Sequence, residues 1–424
     1  MSQATAPRLH YAWVIAAIAF CMLLVSAGIR ASIGVLILPL EHDFGWSRAT
    51  VSTAAALSIF FYGFTGPFAA AAVQNFGIVR TLLAALFLLA LATAASLAMT
   101  QPWQLMATWG VMMGIGAGVV SLPLATAIVN RWFVHHRGLV VGLLTAAMAA
   151  GQLVFLPTLA LIAEQGGWRP VAMTVTACAG LVAIAAVLLR EYPADKGLPP
   201  LGGLRIETPP APSRTNPLLA AVRVLAEVRH SRGFWLLAAT FFVCGLSTSG
   251  LVATHLIPYC FDNGIPETRG AALLAFIGVF NIVGTTLSGW LTDRFDSRWL
   301  LFWYYALRGL SLICLPFSGF DAVSLTVFAI FYGLDWIATV PPTVRLAGDL
   351  FGKDRAAVVF GWLLAIHQVG GALAAFGAGY MRTALETYLQ SFIISGLACL
   401  VAAVLAVMIQ AARRSPPAPA AAAA

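Results

Sequence analysis

Five ionisable side chains stand inside long apolar stretches of this sequence, where they could bind a polar molecule or carry protons. They are Arg30, His255, Arg308, Asp335 and His367. If these stretches cross a membrane, as argued below, a charged group at the bilayer centre costs about 2.5 kcal/mol or more. Such groups usually face a cavity or a partner, so they are the first candidates for a functional site.

Arg30 lies about eight residues before the outer end of the first apolar stretch, a rise of roughly 12 Å along a helix. Reaching the membrane surface from that depth would strain the side chain. A guanidinium offers a planar fork of donors that matches a carboxylate. We expect Arg30 to bind an anionic substrate; a structural pair, a cap on broken backbone near Gly28 and Gly34, and a lipid-facing position are the alternatives.

Arg308 and Asp335 lie about nine and eight residues from the inner ends of two consecutive apolar stretches. Consecutive membrane helices run antiparallel, so the two charges should lie at similar depth. The pattern predicts an ion pair that joins the two helices. Alternatively, Asp335 is a proton-coupling carboxylate whose protonation releases Arg308.

His367, near the middle of another stretch, can exchange protons near neutral pH, and Gln368 follows it. Either residue could contact a substrate, although a histidine bonded within the core is the alternative. Tyr332 and Asn281 complete the set of candidate substrate-binding residues, with packing as the alternative for Tyr332. The histidines are scattered over different stretches, so we expect neither a metal site nor a cofactor.

The composition says what kind of protein must position these residues. Of 424 residues, 60% are apolar and 9% are charged, against about 25% charged in an average soluble domain. Such a chain cannot cover a water-facing surface of this size, and it lacks the high charge of disordered proteins. These values exclude an ordinary soluble enzyme and indicate a protein solvated mostly by lipid.

Twelve apolar stretches are long enough to cross a bilayer, which takes about 20 residues each. They cover residues 12–38, 51–73, 80–99, 102–130, 138–162, 170–189, 234–257, 270–291, 299–318, 322–343, 357–380 and 387–410. An even number places both termini on one side. Most Lys and Arg residues outside the stretches fall on that side, against Arg48, Arg169, Arg269 and Arg382 on the other, so both termini are predicted to be cytoplasmic. The same excess explains the basic net charge without a nucleic-acid partner.

The stretches divide the chain into residues 1–189, a cytoplasmic linker 190–233, residues 234–412 and a disordered tail 413–424. The linker is predicted to be an extended tether over 198–217. Over 218–232 it is predicted to be a basic amphipathic helix on the inner leaflet or a solvated connector. The two large parts repeat each other, since Pro39, Asp43 and Gly45 recur 219 residues later as Pro258, Asp262 and Gly264. The pattern predicts two parallel six-helix units.

The second copy of one loop carries Gly289, Asp293, Arg294 and Arg298 in the spacing G-x-x-x-D-R-x-x-x-R. With these residues the chain resembles the major facilitator superfamily over nearly its whole length. The segments FGWSR (44–48), WF-x3-RGL (132–139), GWR (167–169) and THLIPYCFDNG (254–264) are similar to its monocarboxylate and oxalate/formate branches. The resemblance implies an all-α membrane fold of two pseudo-symmetric six-helix bundles. It also implies gating roles for Asp293, Arg294 and Arg298, and an Arg30 that faces the central cavity.

Three departures separate this chain from those branches. Monocarboxylate carriers place an aspartate and an arginine in helix 8, whereas residues 270–291 contain no charge. They often carry a lysine in helix 1, where this chain has Arg30. The oxalate/formate pattern puts a lysine in helix 11, where this chain has His367. The familiar anion contacts of the family therefore cannot simply be transferred.

From these features we expect a proton-coupled secondary transporter for a small organic anion, a monocarboxylate above all, that works by alternating access. We expect a monomer in the bacterial inner membrane, in contact with lipids, and not an enzyme. An efflux carrier for amphipathic compounds, with a structural Arg30, is one alternative. A membrane sensor that no longer transports is another, although the linker is too short for a signalling domain.

Overall fold

Helices make up almost the whole chain in the computed structural model, which describes residues 10–203, 205–206 and 217–409. Eleven of these helices are long and apolar enough to cross a membrane. We number the segments α1 (Tyr11–Phe44), α2 (Arg48–Phe76), α3 (Ile78–Ser96), α4 (102–132), α5 (Arg137–Gly166), α6 (Trp168–Ala186), α7 (Arg232–Asp262), α8 (Glu267–Thr292), α9 (Ser297–Cys314), α10 (Ala322–Phe351), α11 (Lys353–Leu385) and α12 (Leu389–Val407).

The fourth predicted span is present as an interrupted helix, and it is the segment that the eleven candidate spans do not include. Its first part covers residues 102–119 and includes a π-helical segment, Met106–Met112. The chain is extended at Ser121, and the helix resumes as Leu122–Trp132. A proline at the start of this second piece lacks an N–H, so it cannot continue the hydrogen bonding of the preceding turn.

A matching interruption occurs in α10. The helix Ala322–Asp335 ends in a turn, and a second helix, Val340–Phe351, begins with prolines in its first turn. The turns that follow α1 and α7 also correspond, because Gly45 and Gly264 both adopt positive φ, at 64° and 80°. Only glycine takes this backbone conformation without strain, so the sequence repeat is also a repeat of backbone shape.

The two halves of the chain, α1–α6 and α7–α12, contact each other through α2 with α11, α5 with α8, and α1 with α7. Glycine allows the closest of these contacts. A Cβ on Gly63 of α2 would lie 2.5 Å from the Gln368 Cβ of α11, and Gly34 of α1 packs on the backbone of Ala253 and Thr254 in α7. Small residues are the usual means of bringing membrane helices together.

The linker is ordered where the structure describes it. Leu201 exchanges backbone hydrogen bonds with the segment after α4, accepting from Val134 at 2.9 Å and donating to Trp132 at 2.8 Å. The first part of the expected tether is therefore docked against the bundle, whereas residues 204 and 207–216 lie outside the described residues. A linker helix, Pro217–Val228, follows, and its Glu227 pairs with Arg355 of α11 at 3.0 Å. The predicted tail 413–424 also lies outside the described residues.

Candidate functional site

Arg30 belongs to α1, a helix of the N-terminal half that contacts the other half through α7. It is half-buried one helical turn before Gly34, the point where α1 touches α7. Its guanidinium carbon lies 4.9 Å from the centre of the Tyr62 ring of α2, a cation–π distance. Among the described residues no carboxylate forms an ion pair with Arg30. The guanidinium is therefore held by an aromatic face without being neutralised.

Gln368 lies in α11, at the contact with α2 that joins the two halves. Gly63, the neighbour of Tyr62, packs directly on its side chain. Gln368 is 4% exposed, and its Oε1 accepts no hydrogen bond within the described part of the chain. A buried amide oxygen without a donor is costly, so this atom is available to a ligand or to water.

His367 points to a different neighbour from Gln368. Its ring packs on Phe241 of α7 with 4.8 Å between centroids, and its Nδ1 has no hydrogen-bond partner among the described residues. Consecutive residues of a helix point about 100° apart. The structure therefore brings Gln368 to the contact between halves and turns His367 into the C-terminal half.

Arg308 and Asp335 form a buried ion pair in the C-terminal half, with 2.6 Å between Nε and Oδ2. The arginine is 1% exposed and the aspartate 6%. Arg308 Nη2 also donates to the backbone oxygens of Asp335 and Trp336, at 2.6 and 3.2 Å, where α10 is interrupted. Its Nη1 donates to Cys244 Sγ of α7 at 3.1 Å. Asp335 Oδ1 accepts no bond from any described residue.

Two predicted contact residues already have partners in this half. The Tyr332 hydroxyl donates to the Ser247 carbonyl of α7 at 2.8 Å. Asn281 Oδ1 accepts from the Ile337 N–H at 3.1 Å, within the interruption of α10. Tyr332 thus joins α10 to α7, and Asn281 joins α8 to the interruption of α10.

The predicted gating residues all contact the C-terminal half. Asp293 lies 3.7 Å from Arg345 of α10, and Arg294 stacks on Trp290 with its guanidinium carbon 3.9 Å from the ring centre. Arg298 pairs with Asp296 at 2.6 Å and donates to the Ile409 carbonyl at 3.3 Å. In the described part of the chain this loop is thus held by α10 and by the end of α12.

Sequence reasoning missed a charge cluster at the opposite end of the bundle. We call the end where α1 begins and α12 ends the terminal face, and the other end the distal face. Four distal side chains form one connected set of ion pairs: Glu41, Arg48, Asp262 and Arg382. In the sequence the two arginines are recognisable only as loop charges. The recurrence of the same hairpin in both halves was the one signal that these segments correspond.

No group of three or more His, Cys, Asp or Glu side chains that could hold a metal ion occurs in the described ranges. The site therefore consists of one unneutralised cation, one unpartnered amide oxygen and a neighbouring buried ion pair. This arrangement can bind and orient a small anion.

Comparison with known proteins identifies one family and several similar transporters. The profile of the Major Facilitator Superfamily matches residues 18–375. The uncharacterised MFS-type transporter YcxA of Bacillus subtilis (strain 168) is 27% identical to this chain over 405 residues. The match covers 91% of each of the two chains. Monocarboxylate transporter 13 of Rattus norvegicus is 26% identical over 397 residues, covering 91% of this chain and 86% of its own.

A solved structure shares the fold. The bacterial homologue of the human lysosomal transporter Spinster, in an inward-facing and unoccupied conformation, superposes with a TM-score of 0.75 at 16% identity. The match covers 96% of this chain and 98% of the other. At this identity the likeness concerns the fold alone.

Proposed function

Because the chain belongs to the major facilitator superfamily, a family of membrane transporters and not of enzymes, we propose that it carries a small organic anion, a monocarboxylate, by proton-coupled alternating access. The observation that carries the proposal is Arg30. Arg30 lies one helical turn from the contact of α1 with α7, and among the described residues no acid neutralises it. An anionic cargo would supply the missing charge.

The geometry of Arg30 favours a carboxylate. Stacking on Tyr62 occupies a face of the guanidinium and leaves the N–H donors at its edge free to form paired hydrogen bonds. Gln368 can add an amide contact from the opposite half. A ligand that touches both residues would bridge the two halves, as a cargo must if its binding is to influence their relative position.

A single positive charge fits a single carboxylate better than a dicarboxylate, whose second charge would remain without a partner in a site of low polarity. Several relatives are named monocarboxylate transporters. These names support the same class of cargo for this chain at low identity.

Proton coupling is proposed for Asp335. This carboxylate lies deep in the C-terminal half, and its Oδ1 has no donor among the described residues, so a proton can be added there without displacing a hydrogen bond. Arg308 would keep its bonds to the backbone oxygens of Asp335 and Trp336 but lose its ionic partner. Protonation would thus loosen the link between α9 and α10 without abolishing it.

The proposal includes an orientation. The excess of Lys and Arg near the terminal face supports a cytoplasmic location of both termini, and we propose a monomer in a bacterial inner membrane. We also propose that residues 1–189 and 234–412 move as two bundles about the linker 190–233. Asp293, Arg294 and Arg298 would act as gating residues at the cytoplasmic face.

Uptake into proteoliposomes tests the cargo. Radiolabelled lactate or pyruvate should accumulate when an inward proton gradient is imposed, and Arg30→Ala should lower uptake at least tenfold. Arg30→Lys should keep part of the activity, because it retains the charge but loses the fork of donors. Arg269→Ala, which removes an exposed distal arginine, is the matched control and should transport like the unaltered chain.

Full uptake by Arg30→Ala would overturn the assignment of Arg30. Failure of every monocarboxylate, together with resistance of expressing cells to amphipathic drugs, would favour an efflux carrier in which Arg30 is structural.

A further inference from the structure

The four charges at the distal face form a chain that runs across the boundary between the halves. Arg48 Nε and Nη2 donate to the two carboxylate oxygens of Glu41 at 2.8 and 2.7 Å, a bidentate pair. Arg48 Nη1 donates to Asp262 Oδ2 at 3.0 Å, and Arg382 Nε donates to the same oxygen at 2.7 Å. Negative and positive side chains alternate along this series of ion pairs, so the cluster as a whole is neutral.

The centre of this cluster is shielded from water. The side chain of Arg48 is 8% exposed and that of Asp262 is 18% exposed. Arg48 Nη1 also donates to the Tyr388 hydroxyl at 3.3 Å, and this hydroxyl lies 3.0 Å from His255 Nδ1, which is fully buried. Ion pairs shielded in this way are screened less by salt and are stronger than pairs on an open surface.

Further contacts between the halves surround the cluster. The Ala49 N–H donates to the Thr383 hydroxyl at 3.0 Å, and the Thr268 N–H donates to Glu164 Oε1 at 2.8 Å. One turn below Arg48, Ser52 is fully buried against Gly379 of α11. The distal face is therefore closed in this structure, and among the described residues Arg48 and Asp262 form the ion pair that crosses it.

Which half of the molecule each of these residues belongs to determines what happens when the distal face opens. Glu41 and Arg48 both belong to the N-terminal half, at the end of α1 and the start of α2. Asp262 and Arg382 both belong to the C-terminal half, in α7 and α11. Separation of the halves breaks the link between Arg48 and Asp262, yet each half keeps one complete pair. Opening thus leaves no charge without a partner.

We propose that Glu41, Arg48, Asp262 and Arg382 are the distal gate of this transporter, a latch that splits into two neutral pairs each time the halves part. The central pair holds the gate closed, and the two outer pairs make opening reversible by neutralising the charges that it separates. The inference rests on the proposed alternating access but not on the cargo. A failed monocarboxylate assay would therefore leave it standing.

The arrangement predicts effects of opposite sign within one cluster. Asp262→Asn and Arg48→Gln remove the central pair, so they should favour the open state. In Glu41→Gln, Arg48 keeps an ionic partner, Asp262, only while the gate is closed. In Arg382→Gln, Asp262 likewise keeps only Arg48, and only in the closed gate. These two variants should favour the closed state.

Labelling of a Ser52→Cys chain by a membrane-impermeant maleimide added from the distal side measures the open fraction without any cargo. Asp262→Asn and Arg48→Gln should raise the labelling rate by roughly tenfold, as expected for loss of a partly buried pair. Glu41→Gln and Arg382→Gln should leave the rate unchanged or lower it. Each gate variant is also labelled without Ser52→Cys, so that the native cysteines are subtracted.

Asp262→Glu retains the charge and should label like the parent chain, which separates the gate from a general loss of folding. A rise of labelling in all four variants would indicate a merely structural cluster and would overturn the pairing scheme. No change in Asp262→Asn, in protein that remains monodisperse, would overturn the gate itself.

Discussion

At the scale of single residues, the buried pair of Arg308 and Asp335 shows how a charge is tolerated within an apolar bundle. Arg308 has ionic, thiol and backbone partners, so its donors are well used. Asp335 has one oxygen without a donor among the described residues. The pair is therefore asymmetric, with a firmly held cation and an acid that can still accept a proton.

We predict that Arg308→Met alone destabilises the protein by about 3–5 kcal/mol, because it leaves Asp335 charged and buried without a partner. The double variant Arg308→Met with Asp335→Asn should recover much of this loss. Urea titration of the purified variants in detergent measures the free energy of unfolding of each. Equal destabilisation of the single and double variants would contradict the prediction.

For the coupling role, Asp335→Asn should abolish accumulation driven by a proton gradient while exchange of labelled for unlabelled cargo persists. Exchange needs binding and movement but no net proton transfer, so the two assays separate coupling from folding. Gradient-driven accumulation at the level of the unaltered chain would assign Asp335 a structural role only.

At the scale of the helices, the interruption of α10 requires partners for the backbone groups that it frees. Asn281 of α8 supplies one of them by accepting the Ile337 N–H at 3.1 Å. Asn281→Ala should lower stability by about 1–3 kcal/mol, the cost of a backbone N–H left without an acceptor, with little change in KM. Asn281→Gln, which keeps an amide acceptor without adding a charge, is the control. A higher KM at unchanged melting temperature would instead support a contact between Asn281 and the cargo.

The contact between α2 and α11 depends on the absence of a side chain at Gly63. A methyl group there would lie 2.5 Å from Gln368 Cβ, so Gly63→Ala must push the helices apart. We expect Gly63→Ala to reduce transport several-fold. On the same helix Gly66 meets nothing within 4 Å, and Gly66→Ala should be close to neutral in the same uptake assay. Equal effects of the two variants would exclude close packing as the cause.

At the scale of the whole molecule, the major facilitator fold predicted from the sequence is confirmed by the family match and by the solved neighbour. Its orientation in the membrane remains a prediction. In intact cells an impermeant maleimide should label His42→Cys on the distal face, because that side chain is 90% exposed. Arg294→Cys on the terminal face should react only after permeabilisation. The reverse pattern would place the termini outside.

The sequence by itself determined the helical membrane fold, the number of spans and the internal repeat. These properties depend on local features: lipid requires about 20 apolar residues per span, and paired turns need the same special residues, such as Gly45 and Gly264. It also identified Arg30, Arg308 and Asp335, because an ionisable residue in an apolar stretch is visible without knowing its neighbours.

Only the tertiary structure decided which side chains meet. Arg48 and Asp262 are 214 residues apart in the chain, yet they form the ion pair across the distal face. Asn281 and Tyr332, for which the sequence predicts a contact with cargo, bind backbone groups of α10 and α7. The physical reason is that partners depend on how each helix is rotated and how closely it approaches the next. Close contacts at glycines far apart in sequence set both quantities, and hydropathy does not record them.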